Sequence, residues 1–147
     1  MPLDVERVKK RLVYIVFGVY LLILLKITVF RAGFSFLNLF QNGNVVIDFF
    51  AGYIDMLRYG MYYEFIYLFA GNIIWFVPFG FLMPCMSERF SSFLRDILLG
   101  LLLSFSIEFL QFAFGTAGIS EVDDLILNTM GVLIGFVLHK LTPRLKH

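Results

Sequence analysis

Leu98-Leu99-Gly100-Leu101-Leu102-Leu103-Ser104-Phe105-Ser106-Ile107-Glu108-Phe109-Leu110-Gln111 decides the fold. It lies inside an apolar stretch from Phe93 to Phe114, and a stretch of that length suits the roughly 17–25 residues that a helix needs to cross hydrocarbon. Three more stretches approach or exceed it: Leu12 to Phe30, Phe65 to Met86 and Leu125 to Leu141. Of the 147 residues, 60% are apolar, 18% aromatic and 16% charged, against about 25% charged in soluble proteins. The reading is an all-α integral membrane four-helix bundle. Four spans use most of residues 1–147, so one domain is expected, without internal repeat or low-complexity linker.

Net charge is only +1, but the basic residues are placed unevenly. Arg7, Lys9, Lys10 and Arg11 precede the first span, Arg89 and Arg95 lie between the second and third, and Lys140, Arg144 and Lys146 close the chain. All of these fall on one side, which the positive-inside rule makes the cytoplasmic one, with both termini. The other side has Arg31 and Arg58 in a long loop and no Lys or Arg from Gly115 to Asp124. The first apolar run exceeds the roughly 7–15 residues of a signal-peptide core, and no small-x-small site follows. It is expected to be a retained span.

The stretch from Arg31 to Glu64 is too polar to span and too apolar for a plain loop. Val45, Val46, Phe49, Phe50, Tyr53 and Leu57 recur at helical spacing, with Asp48, Asp55 and Arg58 on the other face, which predicts an interfacial helix on the outer leaflet between the first and second spans. Tyr59, Tyr62, Tyr63 and Tyr67 mark the entry of the second span as an aromatic belt. Anchoring is the expected role of this segment.

Polar residues inside the spans form three groups: Asn72 with Pro78, then Ser104, Glu108 and Gln111, then Asp123, Asp124 and Asn128. A carboxyl in hydrocarbon costs roughly 2.5–3.5 kcal/mol on insertion scales, so such residues usually face a partner or a watery cavity. With the outer entry points at Phe65, Phe114 and Asp123, Asn72 lies about 10 Å deep, Glu108 about 9 Å, Gln111 about 5 Å and Asn128 about 7–8 Å. They share one slab in the outer half of the bilayer. The spacings of three and four residues within each group put its members on one helix face. Gly131 and Gly135 continue the Asn128 face as a small-xxx-small pair that permits close helix approach. Pro78 removes a backbone donor near Asn72 and could open room there. Lys26 is expected to snorkel, with pairing to Glu108 or Asp124 as the alternative. Polar glue between helices, at about 0.6 kcal/mol per contact, explains the same residues without a function.

Other chemistry has little support. Cys85 is the lone cysteine, which removes an intramolecular disulfide and a cysteine-rich zinc site. His139 and His147 lie far in sequence from the intramembrane acids, so metal ligation or a serine–histidine pair is not expected. There is no GxSxG or HExxH, which weakens a protease reading. No cofactor, metal or nucleic-acid partner is expected.

The order and spacing of three segments resemble the VanZ-like membrane proteins. They are Gly71-Asn72-Ile73-Ile74-Trp75-Phe76-Val77-Pro78-Phe79-Gly80, Ser106-Ile107-Glu108-Phe109-Leu110-Gln111 and Val122-Asp123-Asp124-Leu125-Ile126-Leu127-Asn128-Thr129-Met130-Gly131, followed by Gly135. The family often carries an Arg before its acidic pair where this chain has Gly118, and an Asp where it has Glu121. A contact made by that Arg would be absent here or come from Arg58 or Arg31. The resemblance implies a place in the bacterial cell envelope and a contribution to resistance against teicoplanin-type glycopeptides, with no mechanism attached.

Three functional readings follow. The first is an envelope protein that limits drug access or binding at the outer face. The second is an enzyme acting on a lipid-linked envelope precursor: two carboxyls in different environments can divide acid and base roles, with Glu108 as proton donor, Asp124 as base, and Gln111 and Asn128 orienting substrate beside Asn72, Ser104 and Asp123. The third is a transporter or lipid-handling protein, for which four spans are few unless it forms a homo-oligomer. Membrane lipids or a lipid-linked precursor are the expected partners. The first reading is favoured because no nucleophile or metal-ligand set accompanies the carboxyls.

Overall fold

Each of the four apolar stretches becomes a long helix in the computed structural model, which describes residues 2–30, 34–40, 44–46, 48–87, 92–114 and 119–142. The helices are α1 (Pro2–Thr28), α3 (Tyr62–Met86), α4 (Phe93–Phe114) and α5 (Val122–Leu141), with the short α2 (Ala51–Arg58) between α1 and α3. All four long helices are long and apolar enough to cross a membrane. A helix is the form that satisfies every backbone polar group within its own segment, which hydrocarbon demands. α3 runs unbroken through Pro78 and Pro84, as membrane helices allow where neighbours cover the freed carbonyls. Side-chain hydroxyls also bond back onto their own helix: Ser106 and Thr129 donate to the carbonyls of Leu102 and Leu125, each at 2.7 Å.

The bundle is organised around α5. α3 and α5 run in the same direction, since Asn72 meets Asp124 at one end and Cys85 meets His139 at the other. Glycines set their separation. A Cβ built at Gly131 would fall onto the Ile73 carbonyl oxygen and 2.9 Å from Phe76 Cβ, and one at Gly135 would fall onto the Val77 carbonyl oxygen. Gly80 makes the reciprocal approach to the Val132 backbone. This is small-residue packing of the kind that drives helix association where no hydrophobic effect operates. α4 runs opposite to α5, with Gly100 against Val132 and Ser104 against Asn128. α1 joins through Phe17 on Phe79, ring centroids 5.7 Å apart, and through the Tyr20 hydroxyl donating to the Trp75 carbonyl at 2.8 Å. The apolar core is Phe17, Tyr20, Leu24, Phe76, Phe79, Ile107 and Val132 with their neighbours. Leu22, Ile74 and Leu102 are among the large apolar side chains left exposed around it, as a lipid-facing surface requires.

The segment between α1 and α3 differs from the helix expected over Val45 to Leu57. Asn44–Val46 forms a strand, β1, paired in parallel with β2 (Ile119–Glu121), so that Asn44 meets Ile119 and Val46 meets Glu121. Helix begins only at Ala51, because Phe50 sits in the left-handed region at φ 54° and cannot continue a helix backward. The β-branched Val45 and Val46 suit a strand, and pairing with β2 gives their backbone groups partners. Further stitches hold this loop to α4: Phe40 N–H donates to the Ala113 carbonyl at 2.7 Å, and Phe34 and Phe36 pack on Phe114. Tyr59, Tyr62, Tyr63 and Tyr67 are exposed at the start of α3.

Candidate functional site

Asp124 lies in the first turn of α5, where helix and neighbours bring donors to it. Asn72 of α3 donates to it through Nδ2, and the Tyr53 hydroxyl of α2 lies 3.4 Å from the same Oδ1. Asn72 Nδ2 is also 3.4 Å from the Tyr53 oxygen. Three elements thus meet at one carboxyl oxygen. Beside it, Asp123 Oδ2 accepts from the Phe50 backbone N–H at 2.7 Å, which ties the entry to α2 onto the head of α5.

One turn deeper, Asn128 Nδ2 donates to Ser104 Oγ of α4 at 2.9 Å, both residues being buried. That bond fixes the register of the antiparallel pair, and Glu108 and Asp124 each lie four residues further toward the α2 end. The two carboxyls therefore occupy one level, Glu108 on the buried face of α4. Gln111 goes elsewhere: its Nε2 donates to the Thr28 carbonyl at 3.3 Å. Thr28 is the last residue of α1, whose end carbonyls lack helical partners, so Gln111 serves as a clasp between α1 and α4.

The expected site residues thus divide. Asn72 and Asp124 meet directly, Ser104 and Asn128 form a second pair beneath them, Asp123 holds the α2 entry, and Gln111 points to α1. Lys26 is exposed and its Nζ donates to the Phe30 carbonyl at 3.1 Å, so it snorkels and does not pair with Glu108 or Asp124. Arg58 lies 3.4 Å from Asp55 with both side chains exposed. Arg31, Gly118 and His147 lie outside the described residues, as does the side chain of Glu121.

Tyr53 is the participant that sequence reasoning assigned to anchoring. It is the buried residue of α2, and its ring packs edge-on against Phe65 and Phe69 with centroids 6.1 and 5.5 Å away. The available signal was its place on the apolar face of that helix with a hydroxyl attached, since a buried tyrosine usually finds a polar partner.

A second polar group lies at the opposite end of the bundle. Cys85 Sγ is 3.3 Å from His139 Nδ1, both buried, and the Phe81 ring stands edge-on to the imidazole. Asp96, in the first turn of α4, is fully buried with neither carboxyl oxygen hydrogen-bonded. Among the described residues no three His, Cys, Asp or Glu side chains are grouped so as to hold a metal ion. A groove of about 380 Å³ runs between α4 and α5, bordered by Phe93, Ile97, Leu101, Leu125, Met130 and Leu133. Its walls are almost wholly apolar, with Thr129 as the polar residue among them, and Asp123, Asp124 and Asn128 are not among its lining.

The family model described as VanZ/LLP1 matches residues 17–143, which include every member of the polar cluster. No curated protein and no solved structure matches the chain.

Proposed function

The chain belongs to the VanZ/LLP1 family, and we propose that this multi-pass membrane protein works in the bacterial cell membrane, contributing to resistance against teicoplanin-type glycopeptides through the polar site at the α2 end. The observation that carries the reading is the convergence of Asn72, Tyr53 and Asp124 from three elements. Interhelical glue needs two partners, whereas here a surface helix spends its buried side chain on an intramembrane carboxyl. The positive-inside rule puts both termini in the cytoplasm and the α2 end outside, where a glycopeptide meets its target. In this reading the site and the loop above it reduce drug access or binding at the outer face.

A second reading, an enzyme acting on a lipid-linked envelope precursor, is favoured by the common level of Glu108 and Asp124, which the Ser104–Asn128 register sets. In that case Glu108 supplies a proton and Asp124 accepts one.

The test uses Glu108→Gln in cells that depend on this protein for glycopeptide tolerance, with reporter fusions fixing orientation. Fusions after His147 and in the loop 87–92 should report cytoplasm, one in 115–120 the outside, and the variant should be abundant but unprotective. A C-terminal fusion reporting outside would put the polar end on the wrong face for this role.

A further inference from the structure

The groove between α4 and α5 takes no part in the polar cluster, and its two mouths differ in charge. On α5 its wall includes Val122, Ile126, Thr129 and Leu133, pairs of residues seven apart that share one stripe of the helix. Lys140 is the next member of that stripe, seven residues beyond Leu133 and turned only about 20° from it around the axis. Its Nζ stands 5.0 Å from the centre of the Phe136 ring, and Phe136 packs on Phe93, the residue of the α4 wall at that mouth. The groove thus points at an exposed ammonium. Its other mouth, at Val122, adjoins Asp123 and Asp124.

We infer that this groove holds an acyl chain of an anionic phospholipid from the cytoplasmic leaflet, with the lipid phosphate at Lys140. The walls select a chain over a helix. Close helix approach in a membrane needs small residues facing the partner, whereas Phe93, Leu101, Met130 and Leu133 hold a second backbone away, and Gly131 and Gly135 are already spent on α3. A volume of about 380 Å³, spread over the roughly 16 Å of α5 from Val122 to Leu133, makes a channel a few ångströms across. That suits one polymethylene chain, while a helix with its side chains is about 10–12 Å wide. Charge then chooses the headgroup. A basic residue at the membrane surface is worth about fivefold in affinity for an anionic lipid, and the same headgroup at the Val122 mouth would meet Asp123 and Asp124. A zwitterionic headgroup brings an ammonium to Lys140 along with its phosphate. The leaflet follows from the orientation set by the positive-inside rule, and the lipid site is independent of the resistance role. A chain seated there covers apolar side chains of both helices and so braces the pair.

The test is thermal unfolding of the full chain in a polyoxyethylene detergent, titrated with phosphatidylglycerol or with phosphatidylcholine of the same chains. Phosphatidylglycerol should raise Tm by about 2–4 °C, a ligand-sized shift for a chain of this length, and phosphatidylcholine should give a clearly smaller one. Lys140→Gln should bring the two lipids level by weakening phosphatidylglycerol about fivefold. Lys10→Gln removes an exposed charge at the same end of the bundle, one turn before the Tyr14 that bonds Met86, and should leave the preference intact. Leu133→Trp fills the groove from an exposed position and should abolish the response to both lipids; if it fails to fold, Leu101→Trp fills the groove from α4. Equal shifts from the two lipids on the parent chain would mean that Lys140 chooses no headgroup, and equal losses from Lys10→Gln and Lys140→Gln would mean general surface attraction. A full response in the groove-filled variant would put the chain elsewhere, and no shift from either lipid would leave the groove without a lipid. A lipid-free dimer, seen by cross-linking and dissolved by Leu133→Trp, would make a second copy the occupant. Each of these overturns the inference.

Discussion

The two halves of α5 are held by different physics. From Gly131 to Gly135 the helix is held by closeness: its backbone rests on the Ile73 and Val77 carbonyls with no space for a side chain. From Asp123 to Asn128 it is held by direction, accepting hydrogen bonds from Tyr53 of α2 and Asn72 of α3 and donating one to Ser104 of α4. A seam made of contact tolerates changes of charge elsewhere but no added volume. A cluster made of hydrogen bonds tolerates isosteric exchange but not the loss of one partner. The seam holds α3 and α5 together without calling on the polar half.

The largest effect should come from adding volume to the seam. Gly131→Leu drives a branched side chain into the Ile73 carbonyl and Phe76, and should cost about 3 kcal/mol, the upper end of overpacking. Leu141→Ala, at an exposed position near the other end of α5, should stay within about 0.5 kcal/mol. Folded yield in mild detergent reads the difference; equal yields would mean that α3 and α5 do not touch at the glycines.

Next in size is the loss of a partner in the polar half. Asn72→Leu leaves Asp124 without its amide donor while nearly keeping volume, and should lower stability by about 1–3 kcal/mol. Thermal unfolding measures it, and an unchanged midpoint would mean that Asp124 has found another donor or opens to water.

Much of this contrast is legible in the sequence. Apolar length gives the four spans, and the spacing of Gly131 and Gly135 gives the seam. Asn72 and Asp124 stand out because hydrocarbon penalises them. What sequence does not carry is rotation about each helix axis and the path of the loops. Gln111 shares a face with Glu108 by spacing, yet its long side chain reaches the end of α1 and leaves the cluster. Tyr53 reads as one more interfacial aromatic, because nothing local shows that its hydroxyl turns into the bundle. The β1–β2 pair joins segments more than 70 residues apart, and the helical spacing of Val45 and Val46 with Phe49 points the other way. Cys85 and His139, set aside for want of sequence neighbours, meet because α3 and α5 run parallel.

The smallest expected effect separates two serines of one helix. Ser104 crosses to Asn128, whereas Ser106 bonds back to Leu102 and faces outward. Ser104→Ala should cost about 0.6–1.7 kcal/mol, the range of interhelical hydrogen bonds in membranes, and Ser106→Ala should fall within about 0.5 kcal/mol of zero. Equal Tm values for the two would remove the register bond from the account.

The central claim is that the polar half of α5 is a working site and not a fastener, and Asp124→Asn tests it most directly. The amide keeps the size of the side chain and an oxygen that can accept from Asn72 and Tyr53, and it is cheaper to hold in the membrane than a carboxylate. Folded protein in the membrane and glycopeptide susceptibility are measured in the same cells. The account predicts parent-like abundance with protection lost; parent-like abundance with full protection would contradict it and leave the cluster as a packing device.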